Sequence, residues 1–144
     1  MTSFLDTSVL VPVFLADHPH HDASMALFLT CSPDTAGCSA HSLAEVYATL
    51  TRLPAPYRAQ PGHAAKCVEA IATRLRLIEL TGLTTLETIR NAASENIAGG
   101  ALYDALIAAC ALQSAADRIY SWNTKHFARL GPQVAARLTT PPIG

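Results

Sequence analysis

Short apolar stretches alternate with longer segments of helical periodicity along this chain. The apolar stretches predict β-strands over residues 2–6, 35–40, 76–80, 118–122 and 136–140. Apolar residues at helical spacing predict helices over residues 8–15, 21–30, 42–53, 62–74, 84–96, 101–116 and 124–130. This alternation is typical of a parallel sheet with helices on both faces. We therefore expect an α/β fold of three layers, α/β/α, around a central and mainly parallel sheet of four to five strands.

The first two helices carry specific expectations. Pro12 is compatible with the first helix only if it lies in the first turn, because proline has no N–H and clashes with the preceding turn. In the second helix, the apolar spacing predicts which residues face the core, namely Ala23, Ala26, Leu27 and Leu29.

The composition supports one domain over residues 1–144. Half of the residues are apolar and 15% are charged, which is typical of a compact chain with a large core. The four cysteines show neither a C-x-x-C pair nor zinc-type spacing, so we expect reduced thiols that mostly lie in the core.

Charge and hydropathy exclude some classes of protein. The formal net charge of −1 excludes a strongly basic coat that would bind nucleic acid by long-range attraction. A local group of basic residues, aided by a bound metal, can still hold phosphate. The chain has no run of about 18 apolar residues and no basic segment before its first apolar run. We therefore expect no membrane span, no membrane partner and a cytoplasmic location.

The first predicted strand ends in a carboxylate, Asp6, and two hydroxyl residues, Thr7 and Ser8, follow it. In open parallel sheets, ligands bind in the crevice at the C-terminal ends of the strands. A carboxylate in that crevice can hold a cation. Aspartate is also a preferred N-cap residue, so Asp6 could instead only cap the next helix. The choice depends on whether other carboxylates reach the same edge.

Glu45 has two possible roles that compete for one side chain. Ser42-Leu43-Ala44-Glu45 matches the capping box, in which the glutamate returns to the amide of the N-cap serine. The same helix start lies just beyond the second predicted strand, at the edge of the sheet where Asp6 lies. The residues alone leave both roles open.

Asp104 is difficult to explain as a purely structural residue. Apart from Tyr103, it is the only ionisable group between Gly100 and Leu112, in a helix apolar enough to be buried on most sides. A buried carboxylate needs a partner, or it costs free energy or changes its pKa. The helix dipole supplies only about 0.3–1 kcal/mol. A metal ion, or a basic group from another segment, is the more adequate partner.

A further strand exit resembles the first one. Ser121 and Asn123 come at the end of the fourth predicted strand, as Asp6 does at the end of the first. Asn123 can supply a neutral oxygen to a metal, a metal-bound water or a phosphate, or it can cap the helix that follows. Three carboxylates and one amide at one edge give an oxygen-only site, which suits Mg²⁺ or Mn²⁺ rather than zinc. Such a site can activate water and orient phosphate for an in-line displacement.

Four segments stand out by their order and spacing, namely Phe4-Leu5-Asp6-Thr7-Ser8-Val9-Leu10, Ser42-Leu43-Ala44-Glu45-Val46, Tyr103-Asp104-Ala105-Leu106-Ile107-Ala108 and Ser121-Trp122-Asn123-Thr124-Lys125-His126-Phe127. No single segment is specific, but the ordered set covers nearly the whole chain. Together the segments resemble the PIN-domain ribonucleases, and among them the VapC-type toxins of bacterial toxin–antitoxin pairs. The resemblance implies a single PIN domain and a Mg²⁺-dependent endoribonuclease.

The resemblance also implies roles for the acidic residues. Asp6 and Asp104 would be the core Mg²⁺ ligands, and Glu45 would complete the acidic cluster directly or through water. Many relatives have an aspartate around the position of Asn123, so the asparagine leaves open whether one or two metal ions bind. Mn²⁺ is a possible substitute for Mg²⁺ on the same oxygen ligands.

The partners implied by the resemblance are RNA, an antitoxin and a second copy of the chain. The substrate would be structured RNA such as tRNA or rRNA, and Thr7 or Ser8 would support the site near the phosphate. The antitoxin would occupy the groove and block the acidic site, often with a basic side chain. The toxin itself would be a homodimer.

Other interpretations remain open. The connector Asp17-His18-Pro19-His20-His21-Asp22 is either solvated or a transition-metal site, and in similar proteins this loop flanks the RNA groove. His126 is either packed or in contact with a phosphate. An aspartate nucleophile at Asp6 would make the protein a phosphotransferase, although Ser8 stands where that class has a second aspartate. A PIN module that binds RNA or a partner without catalysis is the third possibility.

Overall fold

The computed structural model of this chain describes residues 1–143. Its centre is a sheet of five strands, which are β1 (Ser3–Leu5), β2 (Ala36–Ser39), β3 (Arg76–Ile78), β4 (Arg118–Tyr120) and β5 (Leu138–Thr139). The spatial order is β3-β2-β1-β4-β5, and all neighbouring strands are parallel. Each strand is shorter than its prediction, since the polar residues at the strand ends belong to turns and helix caps. The predicted α/β architecture is confirmed.

Helices connect the strands and cover both faces of the sheet. They are α1 (Thr7–Val13), α2 (His21–Leu29), α3 (Ala40–Arg52), α4 (Pro61–Arg74), α5 (Gly82–Ser94), α6 (Ala101–Ser114), α7 (Thr124–Ala128) and α8 (Pro132–Ala135). The short helix α8 is not predicted by the sequence pattern. Among the helices of residues 1–143, none is both long and apolar enough to cross a lipid bilayer.

The central strand β1 is buried on both faces. Phe4 and Leu5 are fully buried and belong to two separate apolar clusters. Neighbouring strand residues point to opposite faces, so the clusters lie on opposite sides of the sheet. Leu5 shares its cluster with residues of α1, α3 and α4, and Phe4 shares its cluster with residues of α6 and α7. The four cysteines are buried and free, as predicted.

Two expectations about the first helices are wrong. Pro12 is the sixth residue of α1, beyond the first turn, and the helix ends one residue later. In α2, Leu27 packs against the core as expected and Ala23 is half-buried, but Ala26 and Leu29 are exposed and Ser24 is buried instead. Ser24 faces inward because its hydroxyl accepts a hydrogen bond of 2.9 Å from Trp122 Nε1. That tertiary contact is not encoded in the local hydropathy pattern.

Gly37 tests the close packing at the centre of the sheet. A Cβ atom at this position in β2 would lie 2.9 Å from the carbonyl oxygen of Arg76 in β3 and 3.0 Å from Met1 Sδ. We expect Gly37→Ala to lower the free energy of unfolding by about 1–3 kcal/mol, because overpacking forces the backbone to move. Urea denaturation of the purified variant and the parent measures this difference.

Gly62 supplies the matched control. The same methyl group, added in α4, meets no atom within 4 Å. Gly62→Ala should therefore raise the free energy of unfolding by about 0.4–1 kcal/mol, since alanine restricts the unfolded chain and favours helix. Equal stability of Gly37→Ala and the parent would contradict the described approach of β2 to β3.

Candidate active site

The predicted site residues follow the strands at the C-terminal edge of the sheet. Asp6 comes directly after β1, and Asn123 comes shortly after β4. Glu45 lies in the second turn of α3, which starts at the end of β2, and Asp104 lies in the first turn of α6. The strands are parallel, so their C-terminal ends share one edge, which is where ligands bind in sheets of this type.

Asp6 is buried, with only 2% of its surface exposed. It caps α1, because its Oδ2 accepts hydrogen bonds from the amide of Ser8 at 3.3 Å and from the hydroxyl of Ser8 at 2.7 Å. The hydroxyl of Ser121 donates a further bond of 2.8 Å to the same oxygen. Burial nevertheless raises the pKa of Asp6 above its ordinary value. Among the described residues no cationic side chain forms an ion pair with it, so a bound cation would relieve the cost of its burial.

Ser121 is not among the predicted site residues, yet it joins two strand exits. It is fully buried, donates to Asp6 and lies 3.3 Å from the hydroxyl oxygen of Ser8. The backbone N–H of Asn123 donates to Ser121 Oγ at 2.9 Å, and that of Trp122 donates to Ser8 Oγ at 2.9 Å. Its position in the sequence could have predicted this role, because Ser121 directly follows β4 as Asp6 directly follows the neighbouring strand β1.

The capping-box alternative for Glu45 is wrong. The N-cap of α3 is Ser39, whose Oγ accepts a hydrogen bond of 3.2 Å from the amide of His41. Ser42 instead lies inside the helix. The hydroxyl of Thr7 lies 2.8 Å from Ser42 Oγ and 3.1 Å from Glu45 Oε1, and its single proton is shared between these two acceptors. The side chain of Glu45 is therefore hydrogen-bonded to Thr7, the first residue of α1, and not to the N-terminus of its own helix.

The environment of Glu45 disfavours its charge. Burial raises the pKa of Glu45, and the neighbouring charge of Asp6 raises it further. The hydrogen bond from Thr7 and the imidazole of His41, whose Nε2 lies 3.8 Å from Oε1, act in the opposite direction. The net direction is upward, because the effect of burial outweighs these two interactions.

Asp104 is electrostatically coupled to the same cluster. Burial and then the charges of Asp6 and Glu45 raise the pKa of Asp104 to about 6, whereas His126 lowers it. The charges of these three carboxylates act on one another, and we call Asp6, Glu45 and Asp104 the acidic cluster. The expected burial of α6 on most sides is wrong at its start, where Tyr103 is 48% exposed.

Asn123 is exposed, and its side chain makes no capping hydrogen bond to α7. It lines a cleft of about 270 Å³ that it shares with Ser8, His18, His20 and Trp122. The interpretation of this side chain as a helix cap is therefore wrong. Its amide is free to contact a ligand in the cleft beside Asp6.

The histidine-rich connector packs against its surroundings instead of being fully solvated. The ring of His20 stacks on that of Trp122, with centroids 3.7 Å apart and an angle of 8° between the planes. His21 Nδ1 lies 2.8 Å from the carbonyl oxygen of Pro12 in α1. His18 Nδ1 accepts a hydrogen bond of 3.0 Å from the amide of His20. The imidazoles thus take separate partners, and the connector forms one wall of the cleft.

Metal binding depends on the chemistry of the acidic cluster. In the conformation described for residues 1–143, no three His, Cys, Asp or Glu side chains gather closely enough to hold a metal ion. The donor set still fits a hard divalent cation, because it offers only carboxylate, hydroxyl and amide oxygens. Neighbouring like charges disfavour ionisation of each other. A divalent cation would remove that repulsion and allow the carboxylates to approach.

Comparison with known proteins identifies the family of this chain. The family model of the PIN domain matches residues 3–131. Ribonuclease VapC27 of Mycobacterium tuberculosis (strain ATCC 25618 / H37Rv) is 39% identical over 114 residues, which make up 78% of this chain and 79% of that protein. The chain therefore belongs to the PIN-domain family. Within that family it is similar to the VapC-type ribonucleases, which confirms the resemblance of the four sequence segments.

Solved structures confirm the fold. The crystal structure of Mycobacterium tuberculosis VapC20, described as a sarcin-ricin loop cleaving toxin, has a TM-score of 0.70 at 19% identity and covers 89% of this chain and 95% of that one. A toxin–antitoxin complex from Klebsiella pneumoniae has a TM-score of 0.65 at 18% identity and covers 98% of both chains. At these levels of identity, the structures establish the shared fold alone.

The raised pKa of Asp104 predicts a dependence of stability on pH. In the folded protein Asp104 keeps its proton up to about pH 6, whereas the ordinary value is 3.8. The folded state holds more protons in this window, so stability falls as the pH rises through it. Without metal, we expect Asp104→Asn to raise the free energy of unfolding near neutral pH by about 1 kcal/mol, after allowance for solvent screening.

The gain should disappear in acid, where Asp104 is protonated in both the folded and the unfolded chain. Urea denaturation with chelator, at neutral pH and near pH 3.5, measures the difference from the parent at each pH. Asp117→Asn is the control, because Asp117 is exposed and precedes β4 rather than following it. A loss of stability in Asp104→Asn at neutral pH would argue against repulsion between the clustered carboxylates.

Proposed function

We propose that this chain is a Mg²⁺-dependent endoribonuclease that acts as the toxin of a type II toxin–antitoxin pair. The observation that carries the proposal is the cluster of Asp6, Glu45 and Asp104, in which burial and then the charges of Asp6 and Glu45 raise the pKa of Asp104 to about 6. The cluster lies on a PIN fold, in a chain whose relative at 39% identity is a ribonuclease. Residues 1–144 would form one PIN domain.

Asp6 and Asp104 would hold the metal ion, and Glu45 would bind it directly or through water. When bound, Mg²⁺, or Mn²⁺ in its place, lowers the pKa of a coordinated water and positions the phosphate for in-line displacement. The chain's own residues supply the orientation. Ser8 and Ser121 fix one oxygen of the Asp6 carboxylate by hydrogen bonds of 2.7 and 2.8 Å.

Thr7 and Asn123 would act beside the carboxylates. Thr7 donates to Glu45 Oε1 at 3.1 Å and thereby orients that side chain. The exposed amide of Asn123 can donate to a phosphate oxygen or accept from a water at the edge of the cluster. Ser8 keeps Asp6 in place and lines the adjoining cleft, so it would support the substrate through both contacts. The number of bound metal ions would depend on whether the neutral amide oxygen of Asn123 can coordinate a second ion in place of an aspartate carboxylate.

The partners proposed for this chain are structured RNA, an antitoxin and a second copy of itself. VapC20 is described as a sarcin-ricin loop cleaving toxin, which supports tRNA or rRNA as the substrate class. An antitoxin with a basic side chain would neutralise the acidic cluster, and the Klebsiella pneumoniae complex supports such a partner. Leu83, Leu86 and Ile89 of α5 are exposed apolar residues, which favour a homodimer.

Loss of one carboxylate should abolish cleavage. We expect Asp6→Asn and Asp104→Asn each to reduce the rate of RNA cleavage by at least about 100-fold, because each removes a proposed metal ligand. The assay is digestion of total RNA with Mg²⁺, with the ends of the products mapped. Chelator should stop the reaction, and Mn²⁺ should restore it.

Asp117→Asn is the matched control for both variants and should cleave at the parental rate. Cleavage by Asp6→Asn and Asp104→Asn at that same rate would refute the proposal. A phosphorylated Asp6 trapped during turnover would favour a phosphotransferase instead. Undiminished RNA binding without any cleavage by the parent would favour a PIN module that has lost catalysis.

Metal binding should also stabilise the fold. Mg²⁺ binds the assembled cluster but not the unfolded chain, so at a concentration about 100 times its dissociation constant it should add about 2.7 kcal/mol to the free energy of unfolding. Thermal scans of the parent with and without Mg²⁺ measure the resulting rise in Tm. Asp104→Asn should show a much smaller rise. No rise in the parent at saturating Mg²⁺ would contradict a metal site in the cluster.

A further inference from the structure

A second cavity opens beside Asp104 and shares no lining residue with the cleft of Asn123. Its volume is about 570 Å³, and Asp104 forms part of its wall. The loop after α5 contributes Glu95 and Asn96, and α7 with its C-cap contributes His126 and Arg129. A ligand in this cavity would therefore touch a proposed metal ligand on one side and two basic side chains on the other.

The basic side chains of the cavity are available to a ligand. Within residues 1–143, neither His126 nor Arg129 makes a side-chain hydrogen bond or an ion pair, and the sole ion pair is between His41 and Glu45. An anionic substrate that approaches three carboxylates needs local positive charge, because one divalent ion does not neutralise all of them. His126 lies close enough to Asp104 for its charge to act on that carboxylate. The cavity thus places positive charge where a phosphate would enter the acidic cluster.

The size and polarity of the cavity suit one nucleotide. Its volume falls within the range of about 300–1,000 Å³ that is usual for small-molecule sites. Unpaired RNA bases are recognised by stacking on aromatic rings or guanidinium planes and by hydrogen bonds to their edges. His126 and Arg129 supply such planes. The amide of Asn96 and the carboxylate of Glu95 supply donors and acceptors for a base edge.

We propose that this cavity binds an unpaired nucleotide next to the cleaved bond, with its phosphate on Arg129 and His126. The proposal rests on the proposed ribonuclease function. It makes Arg129 and His126 substrate-positioning residues that bind RNA and do not contact the metal. Glu95 and Asn96 then face the base of that nucleotide, so the cavity also contributes to the choice of the cleavage position.

Binding can be measured apart from catalysis in the Asp6→Asn background. The probe is a fluorescently labelled RNA hairpin with a mixed-sequence loop, and fluorescence anisotropy gives the dissociation constant without added metal. We expect Arg129→Gln and His126→Gln each to weaken binding about 5- to 10-fold. Loss of one phosphate contact should also reduce the slope of log K against log salt by about 0.7. Arg129→Lys should keep that slope.

Lys125→Gln is the matched control, because it removes a positive charge from the same helix but not from the wall of the cavity. It should change the dissociation constant less than twofold. The proposal is overturned if Arg129→Gln binds the hairpin as Lys125→Gln does, with the same salt slope. Cleavage by the protein with native Asp6 tests the ribonuclease function separately. If the protein with native Asp6 cleaves RNA but Arg129→Gln leaves hairpin binding unchanged, the ribonuclease function stands and only the nucleotide subsite is refuted.

Discussion

The whole site depends on a buried carboxylate that is held by neutral donors. Asp6 ends the central strand, and the hydroxyls of Ser8 and Ser121 bind one of its oxygens. These donors fix the position of the carboxylate but do not neutralise it. A lysine or arginine in their place would pair with Asp6 and remove its attraction for a cation. The hydrogen bonds from the serines favour the charged form of Asp6, whereas its burial disfavours that form, and a bound cation would offset the cost of burial.

The other carboxylates extend this arrangement. Glu45 and Asp104 come from two different helices, and burial together with the charges of neighbouring carboxylates raises the pKa of each. Without a ligand, the protein is therefore less stable than it would be with neutral side chains at these positions. Such a cost is common at functional sites. The proposed affinity for a divalent ion and the lower stability would have one physical origin.

The surroundings of the cluster suit a polyanionic substrate in spite of the net charge of −1. Long-range attraction to RNA is absent at that charge, so the proposed binding would have to come from local contacts. Asp104 forms part of the wall of the cavity with Arg129, and Ser8, which binds Asp6, lines the cleft with Trp122 and Asn123. An RNA strand that crosses the cluster would meet polar and aromatic groups in both directions, which would place one phosphodiester over the carboxylates.

The sequence by itself determined the alternation of strands and helices, the parallel sheet and the segments that identify the PIN family. These features depend on periodicity and on short motifs, which are local properties of a chain. Tertiary structure alone decided that Ser39 and not Ser42 caps α3, and that Glu45 is bound by Thr7. It also decided that Ser121 binds Asp6 across 115 residues of sequence. Hydrogen bonds between distant segments leave no local pattern, because the partner of a polar side chain is known only when the strands are side by side.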